Sequence, residues 1–166
     1  MNRDELRAAQ APLKEKYRND PASALITLRA SGALGAEVSC SVETGRALVQ
    51  AGLHPATGGS GLAVCSGDML LQALVACAGV TLNAVATSLG IVVRDGTITA
   101  EGDLDFRGTL GVSKEAPVGF RDVRLLIDID TDAAPAEQVK LLELTQRYCV
   151  VYQTLRQSPK IEARYA

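Results

Sequence analysis

Residues 66–90, SGDMLLQALVACAGVTLNAVATSLG, constrain this chain more than any other stretch. After Asp68 no charged residue occurs until Arg94, no proline interrupts, and Leu, Val and Ala dominate. The run is far too long for a strand and predicts a helix that is apolar nearly all round. At about 1.5 Å per residue it would be roughly 35 Å long, the diameter of a small domain. Ser66 stands where an N-cap is expected, and Asp68 where the helix dipole favours negative charge. Gly90 stands where a C′ residue closes a helix. The length would also suit a membrane span. Against that stand Gln72, Asn83 and several Thr and Ser inside the run, with no aromatic or basic belt beside it. A central core helix is the better reading. A chain of 166 residues has difficulty covering such a helix on every side, so a second copy is expected on one face.

With 47% hydrophobic and 22% charged residues, the chain is expected to be globular rather than disordered. Its length fits one domain over residues 1–166, with 1–21 as an N-terminal helical arm. A formal net charge of −2 supplies no basic field for nucleic acid or an anionic membrane. The first residues, MNRDELRAAQAPLKEKYRND, are charged and lack the apolar core of a signal peptide, so a cytoplasmic location is expected. The four cysteines, at 40, 65, 77 and 149, are then thiols or redox groups rather than permanent staples. None form CxxC, and their spacing with His54 gives no support to a zinc site.

Residues 3–18 have helical composition and end at Asp20-Pro21. Residues 23–30 read as a strand and 31–35 as turn chemistry. Val38, Cys40 and Val42 alternate with Glu37, Ser39, Ser41 and Glu43, the period of a half-buried strand. A turn at Thr44-Gly45 leads into a short strand over 46–50. Residues 51–66 form a Gly-rich loop of a length that is often functional, without a dinucleotide or Walker pattern. His54, the single histidine, is its candidate substrate-facing residue. After the helix, Asp95-Gly96 reads as a turn, 97–107 as a strand and 110–118 as a connection. Over 120–130, Val123, Leu125, Ile127 and Ile129 fall on one side of a strand. Residues 134–147 return to helix, and Cys149, Val151, Tyr152 and Leu155 extend its face, so that 134–157 reads as one helix stopped by Pro159. Residues 161–165 read as a last strand. This order predicts an α+β fold with mainly antiparallel sheet packed on helices.

On an ideal helix Leu70, Ala73, Leu74, Val80, Thr81 and Ala84 share a face with Cys77. Such a setting raises a thiol's pKa and leaves it inert unless a cation is brought close. Cys149 has Leu142, Thr145 and Tyr152 as helical neighbours. Each cysteine is therefore open to two readings, a small core residue or a redox thiol.

The run GDMLLQALVACAGVTL resembles the central-helix signature of the OsmC/Ohr family, the osmotically inducible and organic hydroperoxide resistance proteins. That signature is an acidic residue, an LL-rich apolar run, A-C, then small residues and T-L. The family's second cysteine, at the start of a C-terminal helix, matches Cys149 in RYCVVYQTL. The resemblance implies an OsmC-like α+β fold, mainly antiparallel sheet around a long central helix, assembled as an intertwined homodimer. It also implies thiol peroxidase chemistry on organic or fatty hydroperoxides. Cys77 would become a sulfenic acid, Cys149 would resolve it into a disulfide, and an external dithiol, such as a lipoylated protein, would restore both. That chemistry requires no metal, haem or nucleotide cofactor. The family's activating arginine matches Arg29, with Arg46 as the alternative, and the acid that holds it matches Asp68. Asp68 lies nine residues before Cys77, on the opposite side of an ideal helix, so it would act through an arginine or an irregular helix start. The chain departs from the pattern in having Ser66-Gly67 where Pro is usual, Asp for Glu, and Val150 instead of Pro after the second cysteine. Cys65 is an additional thiol able to resolve Cys77. The alternative function is a dimeric binding module of the same fold, holding a small hydrophobic molecule, with its cysteines as spectators.

Overall fold

The computed structural model describes residues 2–5, 32–35, 39–44, 47–111 and 113–165, with isolated helical positions at 8, 11 and 19. Arg29, Arg46, the expected strand at 23–30 and the side chain of Cys40 lie outside the described residues. The elements in chain order are β1 Gly32–Gly35, β2 Ser39–Thr44, β3 Ala47–Gly52, a 3-10 turn Pro55–Thr57 and β4 Val64–Cys65. There follow α1 Ser66–Leu89, β5 Val93–Asp103, α2 Phe106–Thr109, β6 Asp122–Thr131, α3 Pro135–Tyr148 and α4 Val150–Arg156. Strands β1 to β4 lie in sequence order, and β5 pairs with β6. The β1–β2 and β2–β3 ladders are antiparallel, with Leu34 opposite Cys40 and Val42 opposite Val49. The two residues of β4 join β3 in parallel, Gly52 opposite Cys65. The architecture is α+β, as expected.

The chain forms two compact units, one from residues 1–19, 73–99 and 126–166, the other from 20–72 and 100–125. In the first, Leu74, Ala78, Leu82 and Val85 recur at helical spacing on α1 and are buried. Leu82, Val85 and Ala86 meet Leu141 of α3, with Ile91, Val93, Ile98, Ile127, Ile129 and Leu144 packed around them. Burying a leucine such as Leu141 stabilises the fold by about 2 kcal/mol. On the other side of α1, Val80 is 73% exposed. By length and composition α1 would suffice to cross a membrane, yet one of its faces is packed on sheet and helix. The helix closes as its glycine predicts: Gly90 takes a φ of +75°, and Ile91 N–H donates back to the Ala86 carbonyl at 2.9 Å.

In the second unit, Asp105 caps α2 by accepting the Arg107 N–H at 3.1 Å. The Arg107 guanidinium beside it holds the Asp105 carboxyl down to about 2. Gly102 makes room for an aromatic ring, since a Cβ there would lie 2.5 Å from Phe120 Cε1.

Four expectations are corrected. Residues 32–35 are a strand rather than a turn, because Ala33 and Leu34 pair with β2. Asp95-Gly96 is not a turn; β5 runs straight through it. The glycine is required there by close approach, since a Cβ would meet the Asp128 carbonyl oxygen at 2.8 Å and Ile129 Cγ2 at 2.9 Å. Residues 161–165 form no strand. Residues 134–157 are two helices, broken at Cys149.

Candidate active site: two thiols at a helix junction

The break between α3 and α4 is a single residue. Cys149 has φ −72° and ψ 109°, outside helical space, and serves both helices. Its N–H donates to the Thr145 carbonyl at 2.9 Å, closing α3. Its carbonyl accepts the Gln153 N–H at 2.9 Å, and its Sγ accepts the Tyr152 N–H at 3.4 Å, opening α4. Sulfur thus takes the place that a Ser or Asp oxygen takes at most helix starts. The Gln153 side chain donates across the junction to the Gln146 carbonyl at 2.8 Å, satisfying one of the carbonyls that the end of α3 would leave unpaired. Cys149 and the adjacent Thr145 are fully buried. The Thr145 hydroxyl donates within its helix to the Leu141 carbonyl at 2.7 Å.

Cys77, on α1, faces this junction and is only partly buried. Both cysteines are free thiols, close enough that each shifts the pKa of the other. Burial pushes the Cys77 thiol up, but four groups outweigh it and hold it below the ordinary thiol value. These are the Val151 N–H, the Cys149 thiol, the Val150 N–H and the Thr81 hydroxyl, one helical turn after Cys77. Cys149 moves the other way. Burial pushes it up, the Tyr152 N–H opposes that, and the neighbouring Cys77 adds to the rise. The two shifts are opposed, so Cys77 gives up its proton at lower pH than Cys149 does. Among the described residues, the groups that hold Cys77 down are uncharged.

The remaining expected site residues fall in the other unit or outside the described residues. His54 holds the 3-10 turn, its Nδ1 accepting the Ala56 N–H at 3.0 Å. That fixes the imidazole hydrogen on Nε2 when the ring is neutral. Its ring stacks on Phe106, centroids 5.0 Å apart. Asp68 lies in the first turn of α1, which runs as regular helix from Ser66. His54, Cys65, Asp68, Phe106 and Phe120 line a cavity of about 340 Å³. Among the described residues, no three His, Cys, Asp or Glu side chains are placed to hold a metal ion.

The sequence profile of the OsmC-like proteins matches residues 58–164. The chain belongs to the OsmC-like family. By sequence, no curated protein matches it. Solved structures of similar fold include an OsmC-like protein from Mycoplasma pneumoniae, 16% identical, covering 80% of this chain and 89% of that one with a TM-score of 0.67. Another is an organic hydroperoxide resistance protein OsmC from Legionella pneumophila, 20% identical, covering 80% and 91% with a TM-score of 0.62. A third is the organic hydroperoxide resistance protein OhrB of Bacillus subtilis, 18% identical, covering 80% and 93% with a TM-score of 0.53. At these identities the likeness is one of fold.

In this OsmC-like chain the functional groups that sequence reasoning missed are Thr81 and the N–H groups of Val150, Val151 and Tyr152. Thr81 was legible in principle, since it sits four residues after Cys77 on one helix face. The backbone donors were not, because an N–H carries no residue-type signature.

Proposed function

We propose that this OsmC-like protein is a thiol-dependent peroxidase that reduces organic hydroperoxides. The observation that carries the reading is the pairing of a Cys77 thiol held below its ordinary value with a buried Cys149 thiol pushed above it. The Cys77 thiolate attacks the terminal peroxide oxygen. The O–O bond breaks, the alkoxide leaves and takes a proton to become the alcohol, and Cys77 is left as the sulfenic acid. The Cys149 sulfur then attacks the Cys77 sulfur, expelling hydroxide that leaves as water, and a disulfide forms. A dithiol, a lipoylated protein among the candidates, returns both thiols at the cost of its own oxidation. Low thiol pKa serves the first step, because the thiolate is the nucleophile.

Arg29, held by Asp68, is the proposed cation at the peroxide, with Arg46 as its alternative. The proposed assembly is a homodimer, which the exposed apolar side chains Leu70, Val80 and Leu89 on α1 support. His54 is proposed only as a wall of the cavity it shares with Asp68.

The test is consumption of tert-butyl hydroperoxide with dihydrolipoamide as reductant. The wild type should turn over, Cys77→Ser should not, and Cys149→Ser should accumulate a dimedone-reactive Cys77. Arg29→Ala should slow peroxide consumption about tenfold, a barrier change of about 1.4 kcal/mol. No peroxide consumption by the reduced wild type overturns the reading. An apolar groove of about 360 Å³, lined by Leu82, Ile127, Ile129, Val139, Leu141 and Leu142, favours the binding-module reading in that case.

A further inference from the structure

Helix α4 has seven residues and none is fully buried. Isolated helices of that length are marginal in water, so its start must be held from outside. One of its first donors goes to sulfur rather than oxygen. The Tyr152 N–H goes to Cys149 Sγ at 3.4 Å, and Cys77 lies beside the Val150 and Val151 N–H groups, which lower its thiol. The Cys149 sulfur thus caps α4 with the Cys77 sulfur beside it, and these are the two atoms that the proposed function joins covalently. A thiolate accepts such bonds well. A disulfide carries no charge, and closing the S–S bond draws both sulfurs away from positions set by the N–H groups. There is a second consequence of the same geometry. Cys149 is fully buried while the thiols are free, so a reductant approaching the folded junction does not reach its sulfur.

We infer that α4 is a latch released by oxidation: the free Cys149 sulfur caps it, and the Cys77–Cys149 disulfide uncaps it, loosening residues 150–165 and opening the Cys149 side of the disulfide to a dithiol. The inference rests on the disulfide step of the proposed function, but not on peroxide as the oxidant. Diamide can replace it: two thiols lose two hydrogens to form the disulfide, and diamide gains them as the hydrazine. Reduction by the dithiol reverses this, since the dithiol becomes a disulfide and both cysteines regain their hydrogens.

The experiment is hydrogen–deuterium exchange on the full chain, reduced and after diamide, with the disulfide located by peptide mass mapping. Amides of 150–156 should exchange about tenfold faster in the oxidised protein, while those of 137–146 keep their rates. Cys149→Ser keeps an N-cap side chain and cannot form the bond, so its α4 should stay protected with or without diamide. Unchanged exchange in α4 despite a mapped Cys77–Cys149 disulfide overturns the inference. So does a diamide effect of equal size in Cys149→Ser, or failure of the disulfide to form. If the disulfide forms and α4 loosens but peroxide is not consumed, the latch stands and the peroxidase reading falls. If peroxide is consumed and α4 stays protected, the reverse holds.

Discussion

The thiols of Cys77 and Cys149 are neighbours, and their surroundings move them in opposite directions, Cys77 down and Cys149 up. Cys77 meets the Val150 and Val151 N–H groups and the Thr81 hydroxyl, whereas Cys149 is fully buried behind it. The thiol that is held lower is the more accessible one. That is the order a peroxidatic thiol and a resolving thiol require.

Alkylation by iodoacetamide, followed residue by residue with mass spectrometry, should place the Cys77 midpoint below the free-thiol value of about 8.5. The Cys149 midpoint should lie above it. Cys149→Ala removes a donor to the thiolate and should move the Cys77 midpoint upward. The signs for stability follow from the same shifts. The depressed Cys77 contributes stability that is present above the unfolded thiol pKa and lost as pH falls through its folded value. The raised Cys149 contributes stability below the unfolded value, lost as pH rises through its folded one. A Cys77 midpoint at or above that of an unfolded peptide would exclude an activated thiol.

Thr81→Val keeps the β-branched shape and deletes the hydroxyl. Alkylation of Cys77 at neutral pH should slow by about threefold to tenfold, the worth of one hydrogen bond. Thr81→Ser should recover most of the rate. A structural role alone would lower the melting temperature without moving the Cys77 midpoint, so both are measured.

Leu141 is 1% exposed among Leu82, Val85 and Ala86. Leu141→Ala should cost about 2–5 kcal/mol in urea unfolding. Val139, on the same helix but 56% exposed, should lose no more than about 0.5 kcal/mol on replacement by Ala. Equal losses at the two positions would contradict the packing described for α3.

Gly96→Ala should destabilise by about 1–3 kcal/mol, because its Cβ meets the Asp128 carbonyl oxygen across the ladder. Gly119→Ala, with nothing within 4 Å of the added carbon, is the matched control and should be near neutral. Denaturant midpoints of the two variants decide the point.

The sequence by itself determined the long helix, since no other structure suits an uncharged apolar run closed by Gly90. It determined strands β2 and β6 through their period-two alternation, and the family through the run around Cys77. Tertiary structure decided the rest. Asp95-Gly96 has turn composition, but pairing across β5 and β6 took precedence over that local preference. Val150-Val151 is no helix breaker, and the apolar spacing of α3 runs on through it. The chain still breaks at Cys149, where its sulfur caps the start of α4. Activation of Cys77 was hidden for the same reason. Residue types show which side chains can carry charge, while two of the groups that lower Cys77 are backbone N–H groups, alike in every residue but proline. Only the fold brings their free ends, at a helix start more than seventy residues further along the chain, onto one sulfur atom.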